Sequence, residues 1–170
     1  MFMTPLHKLY TLSGWLSGVF LVLICLLVVA QIVARQLGTM VPAADEFAAY
    51  AMAASGFLAL PYALQRGAHI RVELLLRLLP AGGHRVVDVL TTLVGLCIAT
   101  YLAWYCALFV MESYEFKEVS SGLLPIPMWL PQLPMLLGTL ILVVAMVERL
   151  VLICQGKRFE AAEAGTAMSE

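Results

Sequence analysis

The chain has 170 residues, 62% of them hydrophobic and only 12% charged, with a mean hydropathy of +0.95. Soluble domains carry about 25% charged residues, so this composition excludes an ordinary soluble domain and specifies a protein dissolved in a bilayer. The net charge of −1 excludes the broad basic field that nucleic-acid binding needs.

Four charge-poor segments are long enough to cross ~30 Å of hydrocarbon. In chain order they predict spans at about 12–35, 46–65, 86–111 and 129–154 within a single domain, 1–156, of all-α membrane fold. The first is far longer than the apolar region of a signal peptide, and no small-residue cleavage site clearly follows it. Pro125, Pro127 and Pro131 crowd the approach to the fourth, so that helix is expected to begin near Trp129. Residues 157–170 are Ala/Glu-rich and read as a short, disordered cytoplasmic tail.

Orientation follows from Lys and Arg. Lys8, Arg66, Arg71, Arg77, Arg85, Arg149, Lys157 and Arg158 fall on one side of the membrane; Arg35 and Lys117 fall on the other. The first side is therefore assigned to the cytoplasm, with both termini. The Arg35–Glu46 and Glu112–Gly122 loops are then expected to face outward.

Between the second and third predicted spans the chain reads RGAHIRVELLLRLLPAGGH. On a helix over 69–79, His69, Glu73 and Arg77 recur every four residues, and Arg66 joins that face. Glu73 before Arg77 is the favourable order for an ion pair. Apolar side chains cover most of the remainder, which predicts a helix lying in the interface against membrane lipids, with Arg71 reaching toward headgroups. Contact with a partner's cytoplasmic loops is the alternative.

Small residues recur every four positions in the second span (Ala51, Ser55, Ala59, Ala63) and the third (Gly95, Ala99, Ala103, Ala107), and Gly14 with Gly18 forms a GxxxG in the first. Such stripes let helix backbones approach closely, within one bundle or against a partner. The cysteines, Cys25, Cys97, Cys106 and Cys154, have no metal-binding spacing and read as small buried apolar residues.

Catalytic signatures are missing from the sequence. His7, His69 and His84 fall outside the predicted spans, which disfavours haem ligation. There is no HExxH and no GxSxG. No carboxylate lies deep in a predicted span, as a proton-coupled carrier would need. Gln31, Ser55 and Thr92 are expected to form interhelical hydrogen bonds. The chain thus reads as a noncatalytic accessory subunit without a cofactor. A membrane anchor of a respiratory or dehydrogenase complex and a small homodimeric exporter are the rival readings.

The acidic pair in PAADEFAAY opens the second span. Asp45 is expected to cap that helix, and Glu46 to favour its positive end. Arg35 is placed to reach either carboxylate across the short loop. The loop ESYEFKEVSSG carries Glu112, Glu115 and Glu118 against Lys117 and is locally acidic. It reads as a solvated loop or as a contact for another protein.

Arg35, the ADEFAAY that opens the second span, the following RGAHIRVELL and the LPIPMWLPQLP before the last span together resemble the small membrane subunit (DctQ type) of TRAP transporters, the tripartite ATP-independent periplasmic transporters. The resemblance covers roughly 12–152. It implies a bacterial inner-membrane protein that braces a large transport subunit, here a separate chain, and helps receive a periplasmic substrate-binding protein. It also implies sodium-coupled uptake, commonly of an organic acid anion, with sodium and substrate bound in the other subunits. Arg35, Asp45, Glu46 and Tyr50 are then candidate partner contacts, with the first and second spans as the contact face. No residue reads as a substrate contact.

Overall fold

The computed structural model describes residues 3–66 and 81–155. Four helices make up most of them: α1 (Met3–Gln36), α2 (Ala44–Gln65), α3 (Ala81–Glu115) and α4 (Trp129–Cys154). Each is long and apolar enough to cross a membrane. The protein is an all-helical, multi-pass membrane protein. The predicted interfacial helix, with His69, Arg71, Glu73 and Arg77, and the 157–170 tail lie outside the described residues.

Two helices run longer than the apolar pattern implies. α1 starts at Met3 and α3 at Ala81, giving 34 and 35 residues. At 1.5 Å per residue each is about 50 Å long, well beyond ~30 Å of hydrocarbon, so their polar ends reach past the apolar layer or the helices tilt. His7, placed outside the first span by its charge pattern, is in fact within α1, near its start.

The connections at one end of the bundle are set by backbone chemistry. Gly38 (φ 71°) follows α1 in the left-handed region; its N–H bonds to the Arg35 carbonyl, and the Thr39 N–H bonds to Ala34. Lys117 (φ 51°) does the same after α3, with Lys117 N–H on Tyr114 and Glu118 N–H on Ser113. Both are Schellman closures, which satisfy the last carbonyls of a helix and turn the chain sharply. Past Lys117 a narrow turn forms as Ser120 N–H bonds to Ile126 and Met128 N–H to Glu118, around an isolated bridge between Val119 and Pro127. We call this the loop end; α1 begins and α4 finishes at the opposite, terminal end.

The helices pack in the order α1, α2, α4, α3. α2 and α4 are therefore central, and α1 and α3 flank them. The tightest approach is at Gly138 of α4, where an added Cβ would lie 2.5 Å from the Phe57 carbonyl oxygen of α2. Pro61 explains why that carbonyl is available. It lies four residues after Phe57 and has no N–H to complete the helical bond. A glycine hydrogen occupies the Cβ direction, so Gly138 sets a C–H against the freed oxygen in place of the missing donor. Beside it Thr139, fully buried, donates to its own helix at Leu136.

The small-residue stripes divide between inner and outer roles. Ala51 and Ser55 are buried in α2, and Ala99 and Ala103 in α3. Ser17 of α1 donates to the Ser55 carbonyl at 2.9 Å, with the two hydroxyls 3.2 Å apart, so Ser55 does form the expected interhelical bond. The GxxxG splits: Gly14 lies against the Tyr62 ring, whereas nothing lies within 4 Å of a Cβ at Gly18. Tyr10, Leu64 and Ala145 join α1, α2 and α4 in a small apolar core near the terminal end. The cysteines do not fill the core: Cys25, Cys97 and Cys154 are exposed and Cys106 is half-buried. Their helices turn that side outward, toward a medium that a thiol tolerates as well as a protein core.

Candidate functional site

The described charged side chains gather at the two ends of the bundle. At the loop end, Asp45 and Glu46 occupy the first turn of α2, where carboxylates favour the positive helix end. Neither caps the helix through its side chain. The cap position is Ala43, at φ 57°, and no side-chain capping bond forms. The expectation for Asp45 fails because the helix begins at Ala44, one residue before it. Asp45 thus sits inside the first turn rather than at the cap position, and its carboxylate is turned to α1.

Asp45 is engaged by α1, though not through Arg35. Gln31 Nε2 donates to Asp45 Oδ1 at 2.7 Å. Arg35 is one turn further along, exposed in the last turn of α1, where a cation favours the negative helix end. The one ion pair among the described residues is elsewhere, between Arg149 and Asp88. The expected pairing of Arg35 with Asp45 or Glu46 therefore does not form within the described residues.

Glu46 turns inward toward the second connection. Ser120 Oγ donates to Glu46 Oε2 at 2.6 Å, while the Tyr50 hydroxyl donates to Ser120 Oγ at 3.1 Å. The Gly122 N–H gives Ser120 a second donor at 3.3 Å, and Met128 Sδ lies 3.6 Å from the Tyr50 oxygen. One serine hydroxyl thus accepts twice and donates once, its full capacity. A Cβ at Gly122 would fall on the Glu46 carboxylate, so a side chain there would have to push that carboxylate off Ser120. Glu46 and Tyr50, one helical turn apart, hold the α3–α4 connection onto the start of α2.

A second group lies alongside. Glu118 accepts from Ser113 Oγ at 2.9 Å, and Gln132 Nε2 donates to the same serine at 2.9 Å. Ser113 is fully buried. Glu118 is therefore tied to the bundle, although it is exposed like Glu112, Glu115 and Lys117 around it. Trp129 packs edge-on against Tyr114 at 5.9 Å and fixes the start of α4 beside the end of α3.

The terminal end holds contacts that sequence reasoning did not foresee. Tyr10, buried, donates to Glu148 Oε2 at 2.7 Å and links α1 to α4. Arg149 donates to Asp88 at 3.1 Å and links α4 to α3. Two neighbouring residues of α4 thus bind the two flanking helices. Their signal was available, since Asp88 opens the third apolar stretch and Glu148 and Arg149 interrupt the end of the fourth. Antiparallel neighbours put such positions at one depth. His7 meets Gln65 nearby. Arg66 is exposed, with its guanidinium 5.2 Å from the Tyr62 ring centroid, a cation–π arrangement.

Among the described residues no three His, Cys, Asp or Glu side chains come together as a metal cradle. Charged side chains make their contacts at both ends of the bundle, and between them small residues and the Ser17–Ser55 bond let the helices close up. Comparison with curated proteins and with solved structures gives no match. The family described as "Tripartite ATP-independent periplasmic transporters, DctQ component" matches residues 24–156, from within α1 to just past α4. The chain therefore belongs to the DctQ family, the small membrane components of tripartite ATP-independent periplasmic transporters.

Proposed function

We propose that this protein is the small, noncatalytic membrane subunit of a sodium-coupled solute importer in the bacterial inner membrane. It braces the large transport subunit and helps receive the periplasmic substrate-binding protein at its loop end. The family match over residues 24–156 carries this reading. The geometry supports it in two ways. The Tyr10–Glu148, Arg149–Asp88, Gln31–Asp45 and Ser120–Glu46 contacts cross-link the bundle at its ends, as a static brace requires. The exposed Glu112, Glu115 and Lys117 offer a charged surface beside a turn clamped through Ser120 and Glu46. Sodium and substrate are assigned to the partner subunits, with no cofactor in this one.

The test is recovery of the native assembly. The protein carries a C-terminal affinity tag, native membranes are extracted in mild detergent, and copurifying chains are identified by mass spectrometry. A large many-span chain in near-equal amount is the expected result. Redox subunits, or this chain alone, would overturn the proposal.

A further inference from the structure

The two flanking helices present different outer surfaces. Exposed large side chains along α1 are aliphatic, Leu12, Val19, Val22, Leu26 and Ile32 among them, apart from Trp15 toward the terminal end. That is the surface acyl chains cover without loss. α3 differs. Opposite the Ala99 and Ala103 side that packs on α4, it exposes Tyr101 (65%), Trp104 (66%), Tyr105 (52%) and Phe109 (49%). The spacings of three, four and eight from Tyr101 put these rings on one face.

Depth makes this face informative. Asp88, paired with Arg149, marks one polar boundary of α3, and Glu112 marks the other. Tyr101 is 13 residues from the first and 11 from the second, so about 20 Å and 17 Å along the axis, close to mid-membrane. An aromatic belt sits at the headgroups, and Tyr101 is too deep to belong to one. Its ring lies 4.6 Å from that of Tyr105. Even if one hydroxyl donates to the other, the second O–H still needs an acceptor. Hydrocarbon provides none, and an unmet polar group at that depth is costly.

We infer that the Tyr101–Trp104–Tyr105 face of α3 is the docking surface for a membrane-embedded segment of the large transport subunit, one that presents a hydrogen-bond acceptor at mid-depth. Such an acceptor is a backbone carbonyl at a helix interruption or an amide or carboxylate side chain. The inference rests on the function proposed above. It moves the contact face from the first and second spans, favoured by the sequence, to α3. Trp and Tyr suit the role, since they bring large rigid area and a polar atom together and dominate protein contacts.

Two experiments test it in the intact assembly. In the first, a photo-reactive benzophenone amino acid replaces Trp104 or, as a control, Val22, in native membranes. The Trp104 position is expected to cross-link to the large many-span chain, and the Val22 position is not. If that chain copurifies but cross-links only from Val22, or if the Trp104 position captures only lipid or a second copy of this chain, the assigned face is wrong while the function stands. If no many-span chain copurifies at all, the function falls and this inference with it. In the second, Tyr101→Phe with Tyr105→Phe keeps both rings and removes both hydroxyls. The double variant should keep its own elution profile and bind the large subunit about three- to tenfold more weakly. Unchanged binding would overturn the hydrogen-bonding role.

Discussion

Ser120 donates its hydroxyl hydrogen bond to Glu46 across 74 residues of chain, and that contact fixes the α3–α4 connection on the first turn of α2. The acidic pair that opens α2 has two separate tasks: Asp45 meets α1 through Gln31, and Glu46 meets the far connection. The contact is half-buried and involves a carboxylate, so it is of the stronger class of hydrogen bond. Glu46→Ala is expected to cost about 1–3 kcal/mol, and Glu46→Gln, which keeps an acceptor, less. Limited proteolysis within 116–124 reads this directly. Cleavage should quicken for Glu46→Ala and change little for Glu46→Gln, and equal rates in all three proteins would contradict the clamp.

Gly138 is the position least able to accept a side chain in the centre of the bundle. Its neighbour is backbone, the Phe57 carbonyl deprived of its i+4 donor by Pro61, and backbone cannot rotate aside. Gly138→Ala is expected to cost about 1–3 kcal/mol through overpacking. Gly56→Ala, where nothing lies within 4 Å, should be neutral or slightly stabilising. Thermal unfolding in detergent separates them; a midpoint unchanged by Gly138→Ala would show that α2 and α4 are not in this contact.

These two sites also mark the limits of what the sequence revealed. Four spans were legible because twenty apolar residues in a row have no other common use. The loop end was located because Arg35, Asp45 and Glu46 stand out against an apolar background. Gln31 was legible as an interhelical hydrogen-bonder, but its pairing with Asp45, and the meeting of Ser120 and Gly122 with Glu46, follow only from which helices are neighbours. The α1, α2, α4, α3 packing order is a tertiary fact that periodicity does not contain. Arg149 was read as a boundary charge, Asp88 was passed over, and the two become a pair only once α3 is known to lie beside α4.

The GxxxG of α1 should behave as two unlike glycines. Gly14→Ala puts a Cβ 2.6 Å from Cγ of the Tyr62 ring, whereas Gly18→Ala meets nothing. Gly14→Ala is expected to lower stability by about 1–3 kcal/mol if the ring cannot shift. Gly18→Ala should leave both stability and assembly unchanged. A helix–helix dimer through GxxxG would need both positions, so equal loss of assembly from both variants, measured by native gel, would replace this account with a dimer.

Arg149 and Asp88 are each only partly screened by the bundle, with side-chain exposures of 19% and 29%. Arg149 Nε is buried without a hydrogen-bond partner among the described residues, so Asp88 carries much of the compensation for that guanidinium. Asp88→Ala alone would leave the cation at the edge of the bundle with its ion pair gone. A fully buried pair broken this way costs about 3–5 kcal/mol; partial exposure should bring the loss down to about 1–3 kcal/mol. Adding Arg149→Met removes the stranded charge and keeps a long apolar stem against α3, so the double variant should recover part of the loss. A double-mutant cycle on thermal unfolding measures the coupling. Strictly additive losses would mean that the two side chains stabilise the helices independently and that their contact does not hold α3 to α4.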